Sequence, residues 1–231
     1  MRTLVTGGAG FIGSHLVERL LNDGHGVIVL DNFSTGSKAN LAAVGGHPSL
    51  TIQSADISDF DQIYPFFDEA DWVFHVAALA DIVPSIEAPL KYHRANVDGT
   101  VAVLEAARQA NVKRFIYAAS TSCYGLAEQV PTPETAPKRP MYPYALTKYL
   151  GEQCVMHWDQ IYQLPCVSLR FFNVYGPRSR TSGTYGAVFG VFLAQKLADK
   201  PMTLVGDGEQ TRDFVFVSDV VDALVKAAKS D

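Results

Sequence analysis

A chain of 231 residues is long enough for one large domain, or for one ordinary domain and part of a second. Hydrophobic residues make up 48% and charged residues 19%, an ordinary globular composition that excludes a disordered or fibrous chain. Lys and Arg number 19 against 24 Asp and Glu, a net charge of -5. That balance argues against a general nucleic-acid or anionic-membrane surface, so a phosphate ligand requires a local site.

Short β-branched runs alternate with segments of helical period. "RTLVT" reads as a strand, "FIGSHLVERLLNDG" as a helix, "GVIVLD" and "SLTIQSAD" as strands, "DFDQIYPFFDEA" as a helix and "DWVFHVAA" as a strand. Next come a helix in "HRANVDGTVAVLEAARQAN", with Val97, Val101 and Leu104 on one face, and the buried strand "KRFIYAAS". A long helix is expected from about Pro143 to Gln163, then a strand over "CVSLRFFNV". Gly24 and Asn111 suit left-handed helix ends. This alternation predicts an α/β fold with a Rossmann-type, doubly wound parallel sheet.

After residue 173 the alternation stops and Gly, Pro and Arg become dense in "NVYGPRSRTSGTYG". Residues 1–173 are therefore expected to form the nucleotide-binding domain. Residues 174–231 are expected to form part of a smaller substrate lobe, with the helix in "VSDVVDALVKAAKSD" returning to the first domain. Cys123, Cys154 and Cys166 are odd in number and form no C-x-x-C pair, which fits a reduced, cytoplasmic protein. No apolar run approaches the roughly 18 residues that span a membrane, and no histidine spacing suggests a metal.

The loop "TGGAGFIG" places Gly7, Gly10 and Gly13 between a strand and a helix. Glycines there let the backbone approach a pyrophosphate, and the helix N-terminus supplies free N–H groups. Asp31 ends the next strand, 18 residues beyond Gly13, where a carboxylate can accept the ribose hydroxyls of NAD and repel the extra phosphate of NADP. Together they predict NAD. Asp56 could reach the adenine or simply form a turn.

Tyr144 and Lys148 stand four residues apart on the long helix and so share a face. A tyrosine of pKa near ~10 is a poor base, and a neighbouring ammonium would lower that value.

The ordered motifs "TGGAGFIGSH", "LDNFSTG", "HVAALA", "NVDGT", "YAASTSCYG", "YPYALTK", "RFFNVYGPR" and "GDGEQTRDFVFVSD" resemble those of extended short-chain dehydrogenase/reductases. The nearest likeness is to nucleotide-sugar members, the UDP-hexose 4-epimerases above all. The resemblance covers essentially the whole chain. Since family members usually continue further, it implies a chain cut short within its substrate lobe.

By this resemblance Ser120 is the catalytic hydroxyl, bonding the sugar O4 and Tyr144, with Ser122 a second contact; a strand-end cap is the alternative for Ser122. Tyr144 would take the C4 hydroxyl proton while C4 gives hydride to NAD. The 4-keto sugar would then turn and take the hydride on its other face. Lys148 would tune Tyr144 and hold the nicotinamide ribose. Phe11, Ile12, Asn32, Ser34, Thr35, Gly36, Ile57, Val76, Ala77, Ala78, Ala80 and Phe172 are implied along the cofactor. Asn96 is implied near the nicotinamide, unless it caps its helix.

Asn173 and Arg212 match family contacts to the sugar-nucleotide diphosphate, or else stabilise loops. Val188 and Thr203 match positions around the uracil. Ala80 replaces a lysine of some UDP-galactose epimerases, and Cys123 replaces the usual valine or threonine.

Relatives that dehydrate sugars carry an Asp-Glu pair where this chain has Thr121 and Ser122, and relatives that decarboxylate uronic acids keep the glutamate. Hydroxyls are poor general bases near neutral pH, so hydride removal and return is favoured over elimination. A dehydratase, decarboxylase or ketoreductase of the same fold stays open, as does a dinucleotide sensor without chemistry. A homodimer is implied through helices 91–110 and 143–163.

Overall fold

Six apolar runs build one parallel sheet in the order β3-β2-β1-β4-β5-β6. The strands are β1 (Arg2–Thr6), β2 (Gly26–Asp31), β3 (Leu50–Ser54), β4 (Trp72–His75), β5 (Arg114–Ser120) and β6 (Cys166–Phe171). The register sets Val5 beside both Val29 and Phe74. The structure, a computed structural model, describes residues 1–179, 188–204 and 206–230. Part of the Gly- and Arg-rich stretch that ended the alternation thus lies outside the described residues.

Helices cover both faces, which is why the central strands read as continuous apolar runs. On one side α5 (Gly99–Gln109) and α6 (Pro143–Tyr162) enclose Phe67, Val73, Leu104, Phe115 and Tyr117. On the other, α1 (Phe11–Asn22) and α8 (Val217–Lys229) pack Leu16, Leu20, Val220 and Leu224 against Val29, Phe74 and Ile116. This is the doubly wound arrangement expected from sequence, and the helix at the chain's end indeed packs on the six-stranded sheet. Gly24 at φ 80° and Asn111 at φ 54° end their helices in left-handed geometry.

Three local readings need correction. The run expected as one helix over 59–70 is a single turn, α2 (Phe60–Ile63), followed by a 3-10 turn, because Pro65 cannot continue an α-helical ladder. Short α3 (Ile82–Glu87) and α4 (Pro89–His93) lead into a π-helical turn at Arg94–Asp98. The extra residue rotates the following helix, so Val97, Val103 and Leu104 are buried while Val101 is only partly so. Finally, "CVSLRFFNV" is not one strand. The chain leaves the main sheet at Phe172, and β7 (Asn173–Tyr175) pairs in parallel with β8 (Phe214–Phe216). One more helix, α7 (Val188–Leu197), lies between them in sequence.

Leu224 is fully buried against α1 and the sheet. Leu224→Ala is expected to cost about 2–5 kcal/mol in chemical denaturation. A loss of only a few tenths would mean that α8 is not part of this core.

Candidate active site

A cavity of about 760 Å³ opens at the C-terminal ends of β1, β2 and β4, where the strand order reverses. Its floor is the glycine loop. Gly7 adopts φ 70°, and a Cβ there would stand 2.7 Å from Ala77. A Cβ on Gly13 would fall 2.1 Å from the Gly7 carbonyl oxygen, so only glycine lets α1 begin this close to the loop. Gly10 caps α1 without a side-chain bond, leaving first-turn N–H groups for an anion. Phe11 and Ile12 line the wall beside it.

Asp31 is buried at the end of β2. Its Oδ2 accepts from the Ala9 N–H at 2.9 Å and its Oδ1 from the Phe33 N–H at 2.8 Å. A carboxylate has about four lone-pair positions, so two remain for a diol. Asn32, Ser34, Thr35, Asp56, Ile57, Val76, Ala77, Ala78 and Ala80 complete the expected lining. Gly36 sits behind it, wedged between Ala9 and Asp31. Asp56 also accepts from the Ser58 N–H and hydroxyl, so its turn role and its place in the cavity coexist. The cradle fits a dinucleotide. Sequence reasoning missed Lys91, Arg94 and Arg178 on the same wall; Arg178 follows β7 closely, but Lys91 and Arg94 lie in the helical segment well past β4 and left no local mark.

The candidate catalytic residues Ser120, Tyr144 and Lys148 lie beside this cavity rather than in its lining. Ser120 ends β5, and its Oγ stands 2.8 Å from Ser122 Oγ. Ser120 is also near enough to the Tyr144 phenol to lower its pKa. Pro143 opens α6, and the Tyr144 N–H donates to Ser85 Oγ at 3.1 Å, which fixes the first turn. Lys148 is buried one turn on, with Nζ 4.2 Å from the centre of the Tyr117 ring.

The expectation that Lys148 lowers the Tyr144 pKa needs revision in this structure. Burial raises the Tyr144 phenol above its usual value, with Ser120 pulling it back in part. Burial also lowers Lys148 from 10.5 to about 7, Glu152 opposing. Desolvation outweighs the attraction because both ions leave water together.

Asn96 is not at a helix start and does not line the cavity. It sits in the π-helical turn, where its Oδ1 accepts from the Leu79 N–H at 2.8 Å and its Nδ2 donates to Leu79 O and to Thr147 Oγ1, both at 3.0 Å. It therefore ties the cavity wall at Leu79 to the catalytic helix. The chain of bonds continues behind it. Thr100 Oγ1 donates to Asn96 O at 2.7 Å and lies 2.9 Å from His75 Nε2, while His75 Nδ1 lies 2.7 Å from Thr6 Oγ1. Since the Thr100 proton is used on Asn96, His75 donates from Nε2 and accepts at Nδ1. Burial holds the ring neutral, at a pKa of about 3.

Phe172, expected along the cofactor, and the outlying expected substrate residues are not gathered at this cavity. Phe172 and Val188 are exposed. Asn173 Nδ2 donates to Asp213 O at 3.0 Å, Arg212 Nη1 to Thr211 O at 2.7 Å, and Thr203 accepts from Gln195 Nε2 at 2.8 Å. Each is engaged within its own lobe. Among the described residues no group of three His, Cys, Asp or Glu could hold a metal, and no helix is long and apolar enough to cross a membrane.

A glycine-cradled groove at the switch point, beside a Tyr–Lys pair and a serine at the end of β5, defines a nucleotide-dependent enzyme of the short-chain dehydrogenase/reductase kind. A family model described as NAD dependent epimerase/dehydratase matches residues 3–231, and the chain belongs to that family, with NAD as its cofactor. It is 42% identical over 229 residues to a UDP-glucose 4-epimerase of Mycolicibacterium smegmatis, covering 98% of this chain and 73% of that one. It is 35% identical to a UDP-N-acetyl-alpha-D-glucosaminuronate decarboxylase of Bacillus cytotoxicus, covering 98% and 70%. The solved UDP-N-acetylglucosamine 4-epimerase of Methanobrevibacter ruminantium, in complex with UDP-N-acetylmuramic acid, superposes with a TM-score of 0.96 at 37% identity. That match covers 100% of this chain and 73% of the other.

The Lys148 shift carries a stability signature. Folded Lys148 gives up its proton near pH 7 and the unfolded lysine near 10.5, so between these values the unfolded state holds the extra proton. Stability from this group therefore rises with pH across that window. In urea titrations of the cofactor-free protein, Lys148→Met is expected to remove that rise; parallel curves for the two proteins would refute the buried-lysine assignment.

Proposed function

We propose that this chain inverts the C4 hydroxyl of a UDP-sugar, using Ser120, Tyr144 and Lys148 for the chemistry and NAD in the groove. The observation that carries this reading is the hydroxyl loop. Where dehydrating relatives have two carboxylates, Ser122 bonds Ser120, and the Thr121 hydroxyl donates to Phe171 O at 3.0 Å, committed to the β6 backbone. Neither side chain offers the general base that elimination needs near neutral pH. The likeness to a decarboxylase is thereby outweighed by the residues at the loop.

Bound along the groove, NAD supplies a hydride acceptor that later returns the hydride, so no net redox change occurs. The protein's part is to orient the sugar and to move one proton. Ser120 positions the C4 oxygen against Tyr144, and Tyr144 accepts its proton. Burial raises the phenol pKa and favours protonated Tyr144, so the phenolate that accepts the proton requires the Lys148 cation beside it. Lys148, as a cation, stabilises the phenolate and holds the ribose beside it. Asp31, Asn32 and the glycine loop hold the adenosine and pyrophosphate end. Asn173, Arg212, Val188 and Thr203 hold the nucleotide of the substrate, which requires their loops to close towards Ser120.

The reading includes a cytoplasmic homodimer. Its support is a set of free cysteines and an exposed apolar set on α6, Leu146, Met156 and Ile161. Light scattering is expected to give twice the chain mass for the wild type and to lose the dimer with Met156→Glu. A monomeric wild type would remove the dimer.

The direct test gives the full-length protein UDP-glucose, UDP-N-acetylglucosamine and UDP-glucuronate and identifies products by NMR. A C4-inverted sugar without net NADH is expected. Tyr144→Phe should lower turnover about a hundred- to ten-thousand-fold, in the range of a lost general base, while NAD stays bound. A 4-keto-6-deoxy or decarboxylated product would overturn the reading, and an unaffected biological role in Tyr144→Phe would favour a sensor.

A further inference from the structure

Beyond the catalytic group, one buried ion pair stands between its two halves. Glu152 lies one helical turn past Lys148 on α6, with its side chain 5% exposed, and Arg170 on β6 is 21% exposed. The carboxylate accepts from Arg170 Nε and from Ser168 Oγ, each at 3.0 Å. The guanidinium then continues away from the helix. Its Nη1 donates to the Tyr124 hydroxyl at 2.7 Å and to Glu134 O at 3.2 Å, and it lies 5.2 Å from the Tyr124 ring centre. Tyr124 is the last residue of the 3-10 turn that follows Ser120. A single guanidinium thus bridges the helix of Tyr144 and Lys148 to the loop of Ser120 and Ser122.

We propose that Glu152 and Arg170 are positioning residues of the reaction. Their ion pair locks the hydroxyl loop to the catalytic helix and keeps the Glu152 charge on Arg170 rather than on Lys148. The inference rests on the epimerase reading and adds two residues to it. An Arg fork suits the task because it satisfies a carboxylate and a phenol at once, which a lysine cannot do.

The charges around Lys148 make the consequence readable. Facing it are the neutral His75 on β4, Tyr117 on β5 and Glu152 on its own helix, with Arg170 on β6 reached through Glu152. Tyr142, Asp81 and Tyr92 act on Tyr144. Glu152 is the acid that supports the ammonium. With Arg170 in place that support is shared. Without Arg170 the buried carboxylate turns to Lys148 as its remaining cation.

The test follows kcat/KM against pH for the wild type, Glu152→Gln, Arg170→Met and Arg170→Lys, with 13C NMR titration of methylated lysines in the substrate-free proteins. Glu152→Gln is expected to move the alkaline limb, where Lys148 loses its proton, to lower pH by about one unit or more, the size of a lost neighbouring charge. Arg170→Met is expected to move it to higher pH and lower kcat. Arg170→Lys should leave the limb near its wild-type place with kcat down about tenfold, the scale of one lost hydrogen bond to a charged group. Limbs that stay fixed in both Glu152→Gln and Arg170→Met while kcat falls would reduce the pair to a structural brace and overturn the proposal, as would shifts of the same sign in those two variants. If Arg170→Met does not fold, the Glu152→Gln shift and the Arg170→Lys limb decide. A wild type that turns over no UDP-sugar would instead sink the epimerase reading, whatever the lysine titration shows.

Discussion

One run of buried hydrogen bonds fixes the distance between the cofactor cradle and the catalytic tyrosine. It passes from Thr6, at the end of the first strand, through His75, Thr100 and the Asn96 backbone, then through the Asn96 side chain to Thr147. Thr147 Oγ1 donates to Tyr144 O at 2.9 Å, closing the route. Each group in such a run leaves a buried partner unsatisfied if removed, at a cost of about 1–3 kcal/mol. Core packing holds α6 on the sheet, and this run adds a polar tie between its first turns and the end of the first strand. His75 must be neutral for the run to hold, and its complete burial supplies that condition.

The same burial that orders the site opposes its charges. Tyr144 resists becoming a phenolate and Lys148 resists remaining an ammonium. Glu152 opposes that effect at Lys148, and Ser120 opposes it at Tyr144. The Ser120 hydroxyl accepts from Ser122 and acts on the Tyr144 phenol, so the three hydroxyls form one cluster at the end of β5.

The parallel α/β sheet and the glycine loop were legible because both leave local marks: apolar runs bounded by turns, and residues without side chains where a Cβ has no room. The four-residue spacing showed that Tyr144 and Lys148 share a face, and the resemblance supplied their roles. The π-helical turn at 94–98 left no such mark, and it displaced the expected inward face from Val101 to Val103. Asn96 had a recognisable identity but an unforeseen task, since its partners Leu79 and Thr147 lie 17 and 51 residues away. Glu152 follows Lys148 at the same four-residue step, yet the meaning of that step depends on Arg170, which only the sheet brings near. The break at Phe172 was hidden because β6 and β7 are both apolar and only one residue separates them.

Parallel pairing of β7 with β8 has a consequence for how such a protein changes over time. Asn173 faces Phe214 and Tyr175 faces Phe216 across that small sheet. Since the pair is parallel, the chain that leaves after Tyr175 re-enters at Phe214, beside Asn173 at the opposite end of the small sheet, with α8 anchored to the core immediately afterwards. The connection is thus tied at both ends to one two-stranded unit, so its length and side chains can drift while the glycine cradle and the helix of Tyr144 keep their own packing.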